Sequence, residues 1–338
     1  MRKFSSYGPI NKNLHYYVPR KDLIQNACRQ LIGDDVDEGG HYVAVWAPRR
    51  CGKTWVMNEA YRRLKADDRF HVLKLELENL KMTEDAAEAV QSIAQSIIDR
   101  LGLKNIRVDS VSAFETLFSK TTLDKPLILI LDEFDALVED AITGIVAAFR
   151  NTWNSRRKDP NPSPEKEHLL HGVALIGVRS VLGVENVKGS PFNVQRSLRI
   201  PNLTYEETRS MFQWYQKESG QTVEGAVIDR VFSETRGQPG LVSWLGELLT
   251  EGCEGHRPDP TRPIDLTDFE RAYAAAVHIL PNNTILNIIS KARRQPYKHF
   301  LLELFKTDET PTFRFDDPRI GFLYMNGVLD WDREGERT

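Results

Sequence analysis

Residues 41–54 read HYVAVWAPRRCGKT. Within them YVAVWA is an apolar run with β-branched and aromatic side chains, the composition of a buried parallel strand. The next stretch, TWVMNEAYRRLK, spaces Trp55, Val56, Met57, Ala60, Tyr61 and Leu64 for one face of a helix. A strand, a glycine-bearing turn and a helix start are the setting of a phosphate-binding loop. There the free backbone N–H groups and the positive end of the helix dipole face an anion. The residues that would surround the phosphates are Pro48, Arg49, Arg50, Cys51, Gly52, Lys53, Thr54 and Trp55. In such a loop Lys53 reaches the β- and γ-phosphates, and the Thr54 hydroxyl ligates Mg²⁺. Gly52 is where the backbone must come close to phosphate. Ala47 stands where a glycine is usual, and its methyl is tolerable if φ stays negative.

A second stretch supports the first. KPLILILDEFDAL (125–137) carries an apolar run, Leu127 to Leu131, that ends in Asp132 and Glu133. Two acids at the carboxyl end of a buried strand are costly unless something polar waits there. The expected roles are holding Mg²⁺ through water for Asp132 and orientation of the attacking water for Glu133. Together the two motifs imply a nucleoside-triphosphate site.

The chain has 338 residues, 41% hydrophobic and 28% charged, enough for two or three domains. A formal net charge of −3 gives no global signature for nucleic acid or membrane. Cys28, Cys51 and Cys253 are too few and too far apart for a disulfide framework or a zinc site. The amino-terminal MRKFSSYGPINKN lacks the apolar core of a signal peptide, and no run reaches transmembrane length. The cytoplasm is therefore the expected compartment, with no membrane partner. The eight histidines have no ligand spacing, so Mg²⁺ is the one metal expected.

Strand and helix patterns alternate up to residue 203, which predicts a parallel three-layer α/β domain. HVLKLELENL (71–80), GVALIGVRS (172–180) and SLRIPNL (197–203) read as further strands, and residues 84–102 and 138–153 as helices. From Thr204 to about residue 253 the pattern is helical, opening with a capping box of Thr204 and Glu207. RPDPTRP (257–263) reads as a hinge. Three helices follow, then FRFDD and GVLDWD, which read as a β-hairpin. The expected domains are 1–203, 204–256 and 264–338.

These motifs resemble the AAA-like ATPases of the STAND and archaeal-type ATPase group, whose loops often read GPRRxGKT. The resemblance runs from about residue 4 to 335. It implies, in order, a P-loop NTPase domain, a helical lid and a winged helix, with ATP and Mg²⁺ bound. GTP is disfavoured, since no Asn-Lys-x-Asp signature follows the loop. The family's FVGRE-like element matches YVPRKDL, so Val18, Pro19 and Arg20 are candidates for the base and sugar; an ordinary helix entrance is the equal alternative. Pro239, in RGQPGLVSWLGELL, stands where the group places its Gly-x-Pro signature, which implies contact with the base and coupling of the lid to nucleotide state. It also suits plain helix initiation.

Two arginines extend the resemblance. Arg179, after the run VALIGV, matches the γ-phosphate sensor; a charge snorkelling at a strand end is the alternative. Arg196, with Arg199 close by, matches the place before the fifth strand where an arginine finger serves a neighbouring subunit. That implies a homo-oligomer. A buried salt bridge is the competing account. The tail's one basic cluster, KARRQPYKH (291–299), would suit DNA, whereas Asp316, Asp317, Asp330 and Asp332 would repel it. The function expected is an ATP-binding, slowly hydrolysing switch whose output passes to a protein partner. A DNA-bound AAA-type regulator or loader is the rival. An adaptor with structural ATP is a third reading, against which the intact Glu133 speaks.

Overall fold

The computed structural model describes residues 1–110, 112–177, 195–254, 257–306 and 312–331. The chain forms two compact units, one of residues 21–47 and 56–199, the other of residues 1–20, 48–55 and 200–338.

The first unit is built on a five-stranded parallel sheet. Its elements are α1 (Lys21–Ile32), β1 (Tyr42–Trp46), α2 (Lys53–Leu64, of which the first turn belongs to the second unit), β2 (His71–Glu76), α3 (Ala86–Leu101), β3 (Leu127–Asp132), α4 (Glu139–Lys158), β4 (Leu170–Ile176) and β5 (Gln195–Arg199). The strand order is β2-β3-β4-β1-β5. Every pairing is parallel, as crossover helices require. Helices α3 and α4 cover one face, where Leu73, Leu75, Leu127, Leu129, Leu131, Val173 and Leu175 join Ile93, Ile97, Ile145 and Phe149 in one core. Helix α1 packs against β1 and β4 on the other side. Burial on both faces is why β3 and β4 are apolar at every position but Asp132, His171 and Gly172. The expected three-layer α/β arrangement is therefore present. Strand β2 stops at Glu76, and residues 78–80 of the expected strand enter a 3-10 helix, Glu78–Met82.

The second unit is helical. It contains α5 (Tyr205–Ser219), α6 (Gly225–Thr235), α7 (Pro239–Thr250), α8 (Leu266–His278), α9 (Asn283–Ala292), α10 (Tyr297–Leu304) and α11 (Pro318–Met325). The Thr204–Glu207 capping box forms as expected at the start of α5. Phe4 and Tyr16 of the amino-terminal segment are buried in the same core as Phe212, Tyr215, Val242 and Leu245. Phe4 lies flat over a gap in α7: a Cβ on Gly246 would stand 2.5 Å from its ring.

The expected hairpin does not form among the described residues. Residues 313–317 form loop and turn, and α11 occupies 318–325, so no strand pair forms among the described residues of 312–331. The alternation in FRFDD is that of a loop: Arg314 pairs with Asp316, and Asp317 instead caps α11 by accepting from Arg319 N at 2.8 Å. Pro318 then takes the first helical position, where its missing N–H costs nothing.

Candidate nucleotide site

The candidate residues fall in both units. Strand β1 leads through buried Ala47 into the loop Pro48–Gly52, and α2 begins at Lys53. Ala47 does not adopt a positive φ; the loop's positive φ angles are at Arg50 (59°) and Gly52 (90°). The loop thus turns at Arg50 and Gly52, so the usual leading glycine is dispensable. A methyl on Gly52 would meet no protein atom within 4 Å, so within the protein it is backbone conformation that demands glycine there. Successive N–H groups around positive-φ residues form a concavity suited to an anion. Lys53 Nζ donates to the Pro48 carbonyl at 3.1 Å, across the same loop. Thr54 is exposed, and Trp55 is 9% exposed.

The start of α7 grips this loop. Gln238 caps α7 by accepting the Leu241 N–H, and its Nε2 donates to the Arg49 carbonyl at 2.9 Å. One amide thereby joins the start of α7 to the loop. Gly240 presses on Arg50: a Cβ there would lie 2.8 Å from Arg50 Cβ. Pro239 holds the first position of α7 between these two residues. Cys51 is buried, with Sγ 3.5 Å from Asn202 Oδ1, while Asn202 Nδ2 donates to the Arg236 carbonyl. Gly327, with φ 75°, also passes so close to the loop that a Cβ would stand 3.1 Å from Pro48 Cβ.

The amino-terminal candidates diverge. Val18 is half-buried and Pro19 exposed. The Arg20 guanidinium donates to the carbonyls of Pro201 (2.7 Å) and Asn202 (2.9 Å) and pairs with Glu207 at 3.0 Å. It ties down the entrance to α5. Tyr17, which the sequence did not single out, packs edge-on against Trp55 at 5.1 Å and lies 5.5 Å from Trp214.

In the sheet unit, Asp132 ends β3 at 3% exposure and its Oδ1 accepts the Glu133 N–H at 3.0 Å. Glu133 is exposed and takes a left-handed conformation, φ 57° and ψ 39°, before the turn Phe134–Ala136. A non-glycine residue held there stores strain of the kind that clusters at functional sites. Lys74 of β2 is a further residue that sequence reasoning missed. Its ammonium lies 2.9 Å from Asp132 Oδ2 and 3.1 Å from Glu76 Oε1. The signal available was a lysine in the middle of an otherwise apolar strand, HVLKLE. A carboxylate at this strand end and a hydroxyl after the loop lysine are the donor types Mg²⁺ takes beside a triphosphate. The residues fit the ion in kind, with Lys74 already on one oxygen of the acid.

Arg196 lies within β5 rather than before it, opposite Val43. Its side chain is 50% exposed, donates to Gln30 Oε1 at 3.2 Å and stands 3.9 Å from Asp34. A buried salt bridge does not describe it. Arg199 lies over the Trp46 ring at 5.8 Å. Arg179 lies outside the described residues.

Among the described residues no helix is long and apolar enough to cross a membrane. No curated protein matches the sequence. Among solved structures, a Walker-type ATPase of Pyrococcus abyssi is similar at 12% identity and a TM-score of 0.56, over 97% of this chain and 93% of that one. The Drosophila ORC bound to DNA gives 15% identity and a TM-score of 0.53, over 94% and 76%. The Aeropyrum pernix ORC2 protein, in ADPNP–ADP complexes, gives 13% identity and a TM-score of 0.51, over 96% and 90%. At such identities the likeness is one of fold. A family model described as an AAA-like domain matches residues 5–251, and the chain belongs to that AAA-like family.

Proposed function

We propose that the chain binds ATP and hydrolyses it slowly, as a switch whose nucleotide state is passed to its lid and to a protein partner. One observation carries this reading: the phosphate-type loop is bound directly to the start of α7, through Gln238 to Arg49 and through Gly240 to Arg50. A ligand that rearranges the loop backbone must act on the helix seated on it. The printed descriptions of the neighbours, a Walker-type ATPase and a protein in ADPNP–ADP complexes, support the same chemistry.

In this reading Lys53 and the loop N–H groups, with Trp55 beside them, hold the phosphates, and Val18, Pro19, Arg20 and Pro239 are the residues toward the base and sugar. Thr54 and Asp132 are the residues that would hold Mg²⁺, which when bound neutralises charge on the phosphates. Glu133 orients the attacking water, Arg179 senses the γ-phosphate, and Arg196 serves a neighbouring copy as a finger. Functionally, residues 1–203 bind nucleotide, 204–256 form the lid, and 264–338 resemble the helical part of a winged helix in their order. The STAND placement rests on Pro239 and on the loop spelling APRRCGKT.

Calorimetry with ATP tests the reading. Lys53→Ala removes a charge-assisted contact of about 1.5–3 kcal/mol, which weakens binding roughly 10- to 150-fold. No binding by the parent, or equal binding by the variant, overturns it.

A second reading, a DNA-bound regulator, is favoured by one feature. Lys291, Arg293, Arg294 and Lys298 follow one another from the end of α9 into α10, and all but Lys291 are exposed. The neighbour described as bound to DNA shares the fold. A duplex-binding assay that weakens steeply with salt would support it, and no binding at low salt removes it.

A further inference from the structure

We infer that Lys74 is a tethered cation that competes with Mg²⁺ for Asp132, so that nucleotide uptake by this chain depends only weakly on the metal. The inference rests on the ATP-site reading above and goes beyond it, because a phosphate-loop site needs no such lysine.

The register of β2 and β3 sets up the competition. Lys74 lies opposite Ile130 and Glu76 opposite Asp132. Alternation along each strand therefore puts Lys74, Glu76 and Asp132 on one face, while Leu73 and Leu75 join the core on the other. The Lys74 side chain is 7% exposed and that of Asp132 4%, whereas that of Glu76 is 73% exposed. The backbone beneath is fixed as well, since the Arg100 guanidinium donates to the Lys74 carbonyl at 2.6 Å.

An ammonium and a divalent cation seek the same thing from a carboxylate. With Glu133 N–H on Oδ1 and the Lys74 ammonium on Oδ2, the charge of Asp132 is already compensated. A metal ion approaching this acid meets a fixed positive charge in a poorly solvated place, where repulsion is weakly screened. To engage Asp132, directly or through a bound water, it would have to displace the ammonium, and a buried ammonium cannot be left without an acceptor. Glu76 is the alternative acceptor, already 3.1 Å from Nζ. The lysine therefore has a buried carboxylate and a solvated one to choose between, and the metal decides which it keeps.

The test separates this from a purely structural ion pair. ATP binding is measured in EDTA and across a Mn²⁺ titration, with bound Mn²⁺ read by electron paramagnetic resonance. The variants are Lys74→Gln, which keeps a hydrogen-bond donor for Asp132 without the charge, and Glu76→Gln, an exposed change that removes the fallback acceptor. The parent should bind ATP comparably in EDTA and in Mn²⁺. Lys74→Gln should lower the half-saturating Mn²⁺ concentration about tenfold or more, and Glu76→Gln should raise it. If neither variant moves that midpoint while ATP still binds, the inference is overturned and the nucleotide reading stands. If the parent binds no ATP in either condition, both fall. If Lys74→Gln proves too unstable to assay, an unmoved midpoint in Glu76→Gln is enough to overturn the inference.

Discussion

Lowering the pH should destabilise the sheet unit through His171. This residue sits near the start of β4, with 1% of its surface exposed. Its Nε2 is 2.8 Å from the Ile32 carbonyl, and its Nδ1 is 3.1 Å from Ser163 Oγ. Ser163 Oγ also accepts from Arg156 Nη2 at 3.0 Å, so its own proton serves Nδ1 and the ring is the neutral Nε2–H tautomer. Burial pushes the imidazole down to about 4 from an ordinary 6.5. The Ile32 carbonyl opposes this, the charges of Arg156 and Arg69 add to it, and Asp67 counters them. A base whose folded pKa is depressed contributes stability that is present above the unfolded value and lost as pH falls toward the folded one. Between pH 7 and pH 5 the loss is about 2 kcal/mol, from 1.36 kcal/mol per unit over the window in which only the unfolded chain binds the proton. Asp67, Asp124 and Asp159 are held below the ordinary carboxylate range by their hydrogen bonds and stay ionised there. His41 and His15, also lowered by burial, act in the same sense in any variant that keeps them. The assay is urea unfolding at the two pH values, with hydrogen exchange of the β4 amides reporting on this unit. His171→Gln keeps a donor for Ile32 and cannot titrate, so its loss should be smaller than the parent's by about 2 kcal/mol. Equal losses in parent and variant would refute the reasoning, whatever the variant's stability at pH 7.

Three further outcomes are expected. Glu133→Gln should bind ATP at least as well as the parent yet release almost no phosphate, since a carboxamide cannot polarise water; near-parental turnover would show the strand end to be misassigned. Gly240→Ala should force a methyl against Arg50 Cβ at a cost of about 1–3 kcal/mol, read as ATP binding weakened roughly 5- to 150-fold with α7 still helical by circular dichroism. Unchanged affinity would mean that the loop and the lid are not coupled. Arg196→Ala should keep ATP binding and its melting temperature, because a half-exposed pair is worth at most about 1 kcal/mol. It should nonetheless lose activity, which returns on mixing with Glu133→Gln; a dead mixture, and activity per molecule flat on dilution, would make the chain a monomer.

The sequence disclosed what depends on local pattern. Strands β1 and β3 announced themselves because burial on both faces leaves little room for polar residues. The box at Thr204 and Glu207 did so because capping chemistry lies within four residues. The loop was legible despite Ala47, since the turn is made at Arg50 and Gly52. What escaped depends on distant partners. Lys74 meets Asp132 across a strand pair 58 positions away, and Gln238 meets Arg49 across 189. Arg20, expected toward the base and sugar, has its guanidinium engaged by Pro201, Asn202 and Glu207. The hairpin failed for a local reason: Asp317 followed by Pro318 is a helix start, a signal outweighed by the apparent alternation in FRFDD.

The seating of Phe4 and Tyr16 among α5 and α7 also bears on how the protein is made. Phe4 lies 4.9 Å from the Phe212 ring and covers Gly246, so its partners follow it by more than two hundred residues. At about 5–20 residues per second, a ribosome needs roughly 10–40 s to deliver them. Throughout that interval the sheet unit's 21–47 and 56–199 emerge and pair, while Phe4 and Tyr16 wait without their core. The helical unit closes only around a segment already tens of seconds old, and Phe4→Ser should therefore reduce the yield of folded protein during synthesis more than it affects refolding of the finished chain.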